Sequence, residues 1–263
     1  MPKQLHIQFS EVFPTDIWET ALSNDRLLIS CRNGDDMEAT FSLFNLETQK
    51  FEWKALGFDE NWWVTVYAFV DDVIVFQIFN DSQNIDERSV FGFDIHSQQA
   101  IWSVDDINVR GLRGYALSLK ANDDEASFFS VDIRTGSEIT GEMAVFSDKN
   151  MISGLILPFH YTGDSDYFNT VGRFLKEFST INLIGACDYL EYKGLIFISA
   201  HEKLEQNLTN RLYVFNSAGE LVLEEVLAAN SKGLASDTFY IVNEQLIFVK
   251  EKREVKCYII KSL

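Results

Sequence analysis

One short apolar segment recurs along the chain and sets its organisation. The copies share three or four consecutive apolar residues between polar ones, a pattern typical of buried strands. They are Leu27–Ser30, Val73–Phe76, Tyr115–Ser118, Leu195–Ile198 and Leu246–Val249. Their starts lie 46, 42, 80 and 51 residues apart, and Leu155–Leu157 falls at the midpoint of the gap of 80. The spacing predicts six units of roughly forty-odd residues each.

A second element follows the apolar strand in four of the units. Its copies run strand, Asn or Asp, tight turn and strand, and they are Phe41–Trp53, Phe91–Trp102, Phe129–Ile139 and Leu212–Val222. Asn and Asp favour turns because their side chains bond to nearby backbone, and Gly136 and Gly219 allow the positive φ that a hairpin needs. Trp53 and Trp102 each stand eight positions after the turn Asn or Asp. We expect them to be equivalent, largely buried packing anchors.

These patterns predict an all-β chain. Residues 1–263 are expected to form a single β-propeller-like domain of about six four-stranded blades, with five or seven blades left open by the spacing. The repeats resemble those of quinoprotein-like and WD40-like β-propellers, and the best copies are Asp94–Trp102 and Asp132–Gly136. The resemblance implies architecture only, because quinone-dependent enzymes have more blades, a bound calcium ion and often paired cysteines. The stretch from Tyr189 to Phe239 also resembles an uncharacterised propeller-like family of Bacteroidetes, which implies no function.

Two segments depart from the repeat. Phe168, Val171, Leu175 and Phe178 form a helical apolar stripe, which predicts one short helix near 165–178 with Asp164 or Ser165 as its cap. We expect this helix to cover a weak sheet edge rather than to bind a partner. Near the N-terminus, residues 5–9 alternate with the period of a strand. They are expected to pair with the last unit and to cover its exposed edge.

Charge and composition exclude several classes of partner. The chain has 22 Lys and Arg against 40 Asp and Glu, a formal net charge of −18, and such a field repels phosphate backbones and anionic lipid surfaces. We therefore expect no nucleic acid and no membrane as partner, but an unknown protein or small ligand. The three cysteines are scattered without a CxxC pair, and no signal peptide is recognisable. Reduced thiols and a cytoplasmic location are expected.

No motif in the sequence assigns a reaction. The four histidines lie in different units without metal-binding spacing, and neither a glycine-rich phosphate loop nor a GxSxG elbow occurs. The acidic loops lack the ligand pattern of a calcium loop; Asp164-Ser165-Asp166 is the one that merits a check for metal. We therefore name no catalytic residue, no metal ligand and no cofactor, and the enzyme question stays open with a non-enzyme favoured.

The best candidate ligand site comes from matching the units. Asp16, Asp188 and Asp237 occupy similar places before an apolar strand, where a propeller lines its central channel. They are expected either to converge at one channel mouth, facing Arg110 or Arg113, or to act as structural ties to neighbouring backbone. Trp62 and Trp63 are candidates for the floor of a pocket there.

Two functions follow from these residues. The favoured one is a non-catalytic binding or scaffold protein. The alternative is a sugar-directed hydrolase or lyase that uses channel carboxylates as acid and base. A deep pocket that joins carboxylates to arginine or aromatic groups would favour the enzyme, and a filled channel would favour the scaffold.

Overall fold

The computed structural model describes residues 5–59, 62–80, 88–122, 128–140, 154–179, 181–204 and 207–261. In these ranges the chain forms twenty β-strands and one α-helix, and the strands form antiparallel sheets of four to six strands, which confirms the prediction of a mostly β chain. The chain divides into two compact units. The first unit comprises Met1–Ile17 and Gly154–Leu263, and the second comprises Trp18–Ser153.

The second unit contains two sheets. Strand β1 (Leu5–Val12) belongs to the first unit. The boundary between the units falls after Ile17, so the first two residues of β2 also belong to the first unit. The four-stranded sheet contains, in order, β2 (Asp16–Ser23), β3 (Arg26–Asn33), β4 (Glu38–Asn45) and β5 (Lys50–Leu56). The six-stranded sheet contains, in order, β6 (Val64–Val70), β7 (Val73–Phe79), β8 (Arg88–Asp94), β9 (Gln99–Arg113), β10 (Ala116–Ala121) and β11 (Phe128–Asp132). The long β9 pairs with β8 through its first half and with β10 through its second half.

The recurring apolar segments form the most deeply buried strands of this unit. They become β3, β7 and β10, and Leu28, Phe76 and Leu117 on these strands are almost completely shielded from solvent. Burial of large apolar side chains contributes about 1.5–3 kcal/mol each relative to leaving them exposed. One core cluster spans both sheets, with Phe41 against Phe76 at a ring-centroid separation of 4.8 Å.

The predicted turns are present and use the side chains as expected. Asn45 Oδ1 accepts from the backbone N–H groups of Glu47 and Thr48, and the equivalent residues Asp94, Asp132 and Asn216 accept from N–H groups two to four residues further on. Gly136 and Gly219 have φ of 71° and 79°, which confirms that prediction. Gln49 and Gln98 take the same left-handed conformation, at φ of 58° and 55°, without being glycine.

Trp53 and Trp102 occupy equivalent positions, as predicted. The Trp53 indole N–H donates to the carbonyl of Ile95 (3.1 Å), and the Trp102 indole N–H donates to the carbonyl of Ile133 (2.6 Å). Each acceptor directly follows the turn Asp of the next repeat. Trp53 is buried and Trp102 is half-buried. A Cβ added to Gly92 would lie 2.3 Å from the Trp102 ring, so only glycine allows this close packing.

The first unit contains two sheets and the helix. The elements after β1 are β12 (Leu155–Ile156), β13 (Phe159–Thr162), α1 (Asp166–Ser179), β14 (Ala186–Tyr192), β15 (Leu195–Leu204), β16 (Asn207–Asn216), β17 (Leu221–Ser231), β18 (Phe239–Val242), β19 (Gln245–Lys250) and β20 (Glu254–Ile260). One sheet has the order β13-β14-β15-β16-β17, and the other has the order β1-β20-β19-β18-β12. Phe197, Phe239 and Phe248 lie in a single core cluster to which both sheets contribute.

Strand β1 confirms the prediction for the N-terminal segment. It pairs antiparallel with β20, with Leu5 opposite Ile260 and Val12 opposite Glu254. Leu5 is 6% exposed and joins the core cluster, whereas Ile7 on the same strand is 55% exposed. The strand therefore contributes a buried anchor as well as a ladder of backbone hydrogen bonds.

At Leu155–Leu157 the structure differs from the prediction, which placed a repeat of its own there. Leu155 and Ile156 do not begin a sheet of their own; they pair with Val242 and Ile241 at the edge of β18. Pro158 follows and has no N–H to extend that ladder. From Phe159 the chain pairs with β14 instead, so this one segment supplies the edge strands β12 and β13 of both sheets.

Helix α1 confirms the prediction of a helix near 165–178, but its predicted role is wrong. Its cap is Ser165, whose hydroxyl accepts from the N–H of Tyr167 at 3.2 Å. Val171 and Leu175 pack into a cluster formed by the central strands β14, β15 and β16, and Phe174 lies edge-on to Phe215 at 5.1 Å. The helix therefore covers the face of the sheet rather than its edge, because its apolar stripe matches an apolar face.

Candidate functional site

The second unit contains an aromatic cavity of about 370 Å³, a volume in the range of small-molecule sites. It is lined by Trp18 of β2, Arg32 of β3, Thr65 of β6, Phe79 of β7, and Trp62 and Trp63, which precede β6. Trp18 and Trp63 are 66% and 40% exposed, so the mouth of the cavity presents aromatic surface to solvent. Exposed aromatic patches of this kind mark interaction sites.

Arg32 provides the charge of the cavity. It is only 8% exposed, and it donates hydrogen bonds to the carbonyls of Trp62 and Val64. Its guanidinium carbon lies 5.3 Å from the centre of the Trp62 ring and 5.9 Å from that of Trp18. Burial lowers the pKa of Arg32, with the charge of Glu19 acting in the opposite direction. Because arginine stays protonated in proteins, the cavity contains a partly desolvated cation.

Thr65 adds a polar group to the wall of the cavity. Its hydroxyl oxygen is buried, and none of the described residues forms a hydrogen bond with it. Gln77 lies directly opposite Thr65 across the β6–β7 ladder. Its side-chain oxygen is also buried and has no hydrogen-bond partner among the described residues. Native proteins rarely leave buried polar atoms unpaired. The cavity thus combines aromatic faces, one guanidinium and one buried hydroxyl that has no hydrogen-bond partner among the described residues.

Two of the predicted site residues line this cavity, and two others do not. Trp62 and Trp63 are among its walls, whereas Arg110 and Arg113 are exposed on β9 and are not part of its lining. Sequence reasoning missed Arg32. A signal for it was present, because Arg32 follows Leu28 and Ser30 on the same face of an apolar strand, where a cation needs specific partners.

The three predicted aspartates belong to the first unit and have different surroundings. Asp188 is 1% exposed; its carboxylate accepts from the Thr238 N–H and hydroxyl, both at 3.0 Å, and lies 2.7 Å from His160 Nδ1. Asp16 pairs with Arg253 at 2.6 Å at the surface. Asp237 is exposed, with a φ of 51°. Asp188 ties β13 and β14 to the residue before β18, and a shared mouth for the three carboxylates stays a prediction.

A buried histidine lies beside this carboxylate. His201 is fully shielded from solvent; its Nδ1 is 3.1 Å from the Ala186 carbonyl and its Nε2 accepts from the Ala235 N–H at 3.0 Å. These two bonds fix the neutral ring with its proton on Nδ1. Desolvation lowers the pKa of His201 below its ordinary 6.5, although the Ala186 bond and Asp188 oppose the shift.

The lowered pKa of His201 predicts acid destabilisation. Below pH 6.5 the unfolded chain binds a proton that the folded state resists, so the free energy of unfolding falls as the pH falls. The slope from one such group is at most about 1.4 kcal/mol per pH unit. His201→Gln keeps one donor and one acceptor but does not titrate. We expect denaturant unfolding between pH 8 and pH 5 to show a shallower slope for this variant; identical slopes would contradict the assignment.

Two further features bear on the chemistry available. All three cysteines, Cys31, Cys187 and Cys257, are buried and form no disulfide, as predicted. Among the residues that the structure describes, no three His, Cys, Asp or Glu side chains are grouped to hold a metal ion, and the Asp164 carboxylate accepts from the Thr162 hydroxyl. No helix in the described ranges is long and apolar enough to cross a bilayer.

Comparisons with known proteins give similarity without a function. Residues 21–102, less than a third of the chain, match the model of a domain of unknown function, DUF4905. No curated protein matches the chain.

Three solved structures show a distant similarity to this chain. A DUF4221 family member from Bacteroides vulgatus is 12% identical, with a TM-score of 0.37 over 100% of both chains. The β-propeller domain of the Trilobed protease from Pyrococcus furiosus is also 12% identical, with a TM-score of 0.34 over 90% of this chain and 64% of that one. The acylaminoacyl peptidase from Pyrococcus horikoshii is 11% identical, with a TM-score of 0.30 over 93% of this chain and 36% of that one.

Proposed function

We propose that this chain is a non-catalytic binding protein, a single propeller-like domain over residues 1–263 that takes a small ligand into its aromatic cavity. The observation that carries the proposal is the set of side chains around the cavity. Three tryptophans, one phenylalanine, one buried guanidinium and one hydroxyl provide faces and hydrogen bonds for a ligand. Among the described residues that line the cavity there is no carboxylate, imidazole or thiol to transfer a proton or attack a substrate.

The propeller interpretation is supported by the repeats themselves. Within the described residues the apolar second strand occurs five times, as β3, β7, β10, β15 and β19, which favours five blades among the numbers that the sequence left open. The pairing of β1 with β20 is the kind of strand exchange that joins the last blade to the first. In a propeller β14 and β18 would be innermost strands, and β12 and β13 would then fill the channel side of their sheets.

The ligand class follows from the charge and shape of the cavity. Arg32 donates two of its N–H groups to backbone carbonyls, and its other N–H groups remain for a ligand. Its guanidinium also lies over the Trp62 ring in a cation–π contact. A second cation would be repelled, whereas a carboxylate or carbonyl group would pair with the guanidinium. A flat apolar body would stack on Trp18 and Trp63. We propose a ligand with a flat apolar ring and an acidic group.

The alternative of a sugar-directed hydrolase or lyase has weaker support. Glycoside chemistry needs two carboxyl groups about 5–10 Å apart beside a substrate pocket. Asp188 is buried and already accepts three hydrogen bonds, while Asp16 is paired with Arg253. Carboxylates whose oxygens are already bonded in this way suit structural ties better than acid–base catalysis.

Tryptophan emission offers the test, because all five tryptophans lie in the second unit and three of them line the cavity. We expect benzoate to change the emission saturably, and benzylammonium, which has the same ring but a positive charge, to leave it unchanged. Trp18→Ala, at a 66% exposed position, should weaken benzoate binding about fivefold to tenfold.

Phe159→Ala is the matched control. Phe159 is 65% exposed and belongs to the first unit, so its loss should leave benzoate affinity unchanged. The proposal would be contradicted if the chain bound benzoate and benzylammonium with equal affinity. It would also be contradicted if the Trp18→Ala and Phe159→Ala variants bound benzoate with equal affinity.

A further inference from the structure

A second cavity of about 270 Å³ lies within the first unit, between helix α1 and the sheet that it covers. The residues that matter for its chemistry are Tyr161, Tyr167, Thr170, Phe174, Tyr189 and Glu191. Tyr161 and Tyr167 are stacked with centroids 5.2 Å apart, and Tyr189 lies 6.2 Å from Tyr161. We call this cavity the tyrosine cleft. Among the described residues its lining includes three tyrosine rings, one phenylalanine ring and one carboxylate.

Glu191 gives the tyrosine cleft its charge. The residue is exposed on β14, and its carboxylate accepts a hydrogen bond from the Tyr189 hydroxyl, which holds it beside the rings. Within the described part of the chain, no Lys, Arg or His lies within ion-pair distance of Glu191. Tyr189 donates but carries no positive charge, so the hydrogen bond leaves the negative charge of Glu191 uncompensated.

The two cavities have opposite charge. In the aromatic cavity a guanidinium already lies over the tryptophan faces, but in the tyrosine cleft the aromatic faces are accompanied by a carboxylate. Aromatic faces attract cations through the ring quadrupole, and quaternary ammonium groups are held by cages of such rings. The net charge of −18 adds a long-range attraction for cations.

We infer that the tyrosine cleft binds an alkylammonium head group, with the methyl groups against the tyrosine rings and the charge beside Glu191. This goes beyond the proposed function, because it concerns a separate cavity in the other unit and an opposite ligand charge. The same head group occurs in small molecules such as choline and in trimethylated lysine side chains. Its source is therefore tested separately.

Calorimetric titration of the full chain distinguishes charge from shape. Choline should bind, while 3,3-dimethylbutanol, its neutral isostere, should bind at least about tenfold more weakly. Glu191→Gln keeps an acceptor for Tyr189 but removes the charge, and it should weaken choline binding about tenfold. Glu177→Gln on the exposed side of α1 makes the same charge change outside the cleft and should have no effect.

Two more variants test the geometry. Tyr167→Ala, at a 67% exposed position, should weaken choline binding without changing the melting temperature. Arg173 donates to the Thr170 hydroxyl at the cleft (3.2 Å), so Arg173→Gln should leave choline binding unchanged or strengthen it. Trp18→Ala should not affect choline, which separates this inference from the proposed function.

A short peptide that contains trimethyllysine provides the second arm. Tighter binding of the peptide than of choline supports a protein source for the head group, and the reverse supports a small molecule. The inference would be overturned if choline and its neutral isostere bound equally, or if Glu191→Gln and Glu177→Gln had equal effects. It would also be overturned if glucose bound and the two ammonium ligands did not, or if neither ammonium ligand gave any heat.

Discussion

We expect the full chain to unfold in one cooperative transition and a variant that lacks residues 1–10 to lose it. Within the described residues β1 is the outer neighbour of β20, so removing its residues 5–10 leaves the N–H and C=O groups of residues 256–260 unpaired on that side of β20. The deletion also removes Leu5, which is packed with Ile260 in the core cluster of the first unit. An unpaired edge and an opened core act together, and either one alone weakens a small sheet.

Calorimetry and far-UV circular dichroism on heating measure this effect. The shortened chain should unfold over a broad range, or in more than one step, and adding a peptide of residues 1–10 should restore a sharp transition. Two point variants serve as controls: Leu5→Ala should lower the free energy of unfolding by about 2–5 kcal/mol, whereas Ile7→Ala, at a 55% exposed position, should change it little. An unchanged transition in the deletion variant contradicts the role given to β1.

Replacing Trp53 with alanine is expected to lower the free energy of unfolding by about 3–5 kcal/mol. Trp53 is 9% exposed, lies 6.2 Å from the ring of Phe93, and donates its indole N–H to the Ile95 carbonyl. Truncation leaves a cavity where the ring was and a buried carbonyl without its donor. Both effects act at a position where one repeat contacts the next.

Trp18→Ala is the matched control, because it makes the same chemical change at a 66% exposed position. Its loss removes a long cation–π contact with Arg32 and should cost no more than about 1 kcal/mol. Denaturant unfolding of both variants measures the difference. Similar losses for Trp53→Ala and Trp18→Ala would contradict the interpretation of Trp53 as a repeated packing anchor.

The fold could be predicted where the sequence repeats a local signal. The Asn or Asp turns, the Trp positions and the alternation of β1 each follow from rules that act within a few residues or between equivalent repeats. The pairing of the segment from Leu155 to Thr162 could not be predicted from these rules. Its strands are too short to show a period, and their pairing with β18 and β14 depends on edges that only the folded chain presents.

The candidate site was only partly predictable, because its residues are far apart in the sequence. Trp62 and Trp63 stand out in the sequence as an aromatic pair, but nothing local connects them with Trp18 or Phe79. Asp188 matched Asp237 by alignment of the units, yet the structure gives one a buried network and leaves the other exposed. The difference arises because residue 188 is covered by β13, which pairs His160 against it. Such coverage is a property of tertiary structure.

The binding function is tested most directly by the five indole N–H signals in a nitrogen–proton correlation spectrum. On addition of benzoate, the signals of Trp18, Trp62 and Trp63 should move together with one saturable dissociation constant. Those of Trp53 and Trp102, whose N–H groups are bonded to Ile95 and Ile133, should stay in place. Five unmoved signals, or shifts as large at Trp53 and Trp102 as at the other three, would contradict a ligand site in the aromatic cavity.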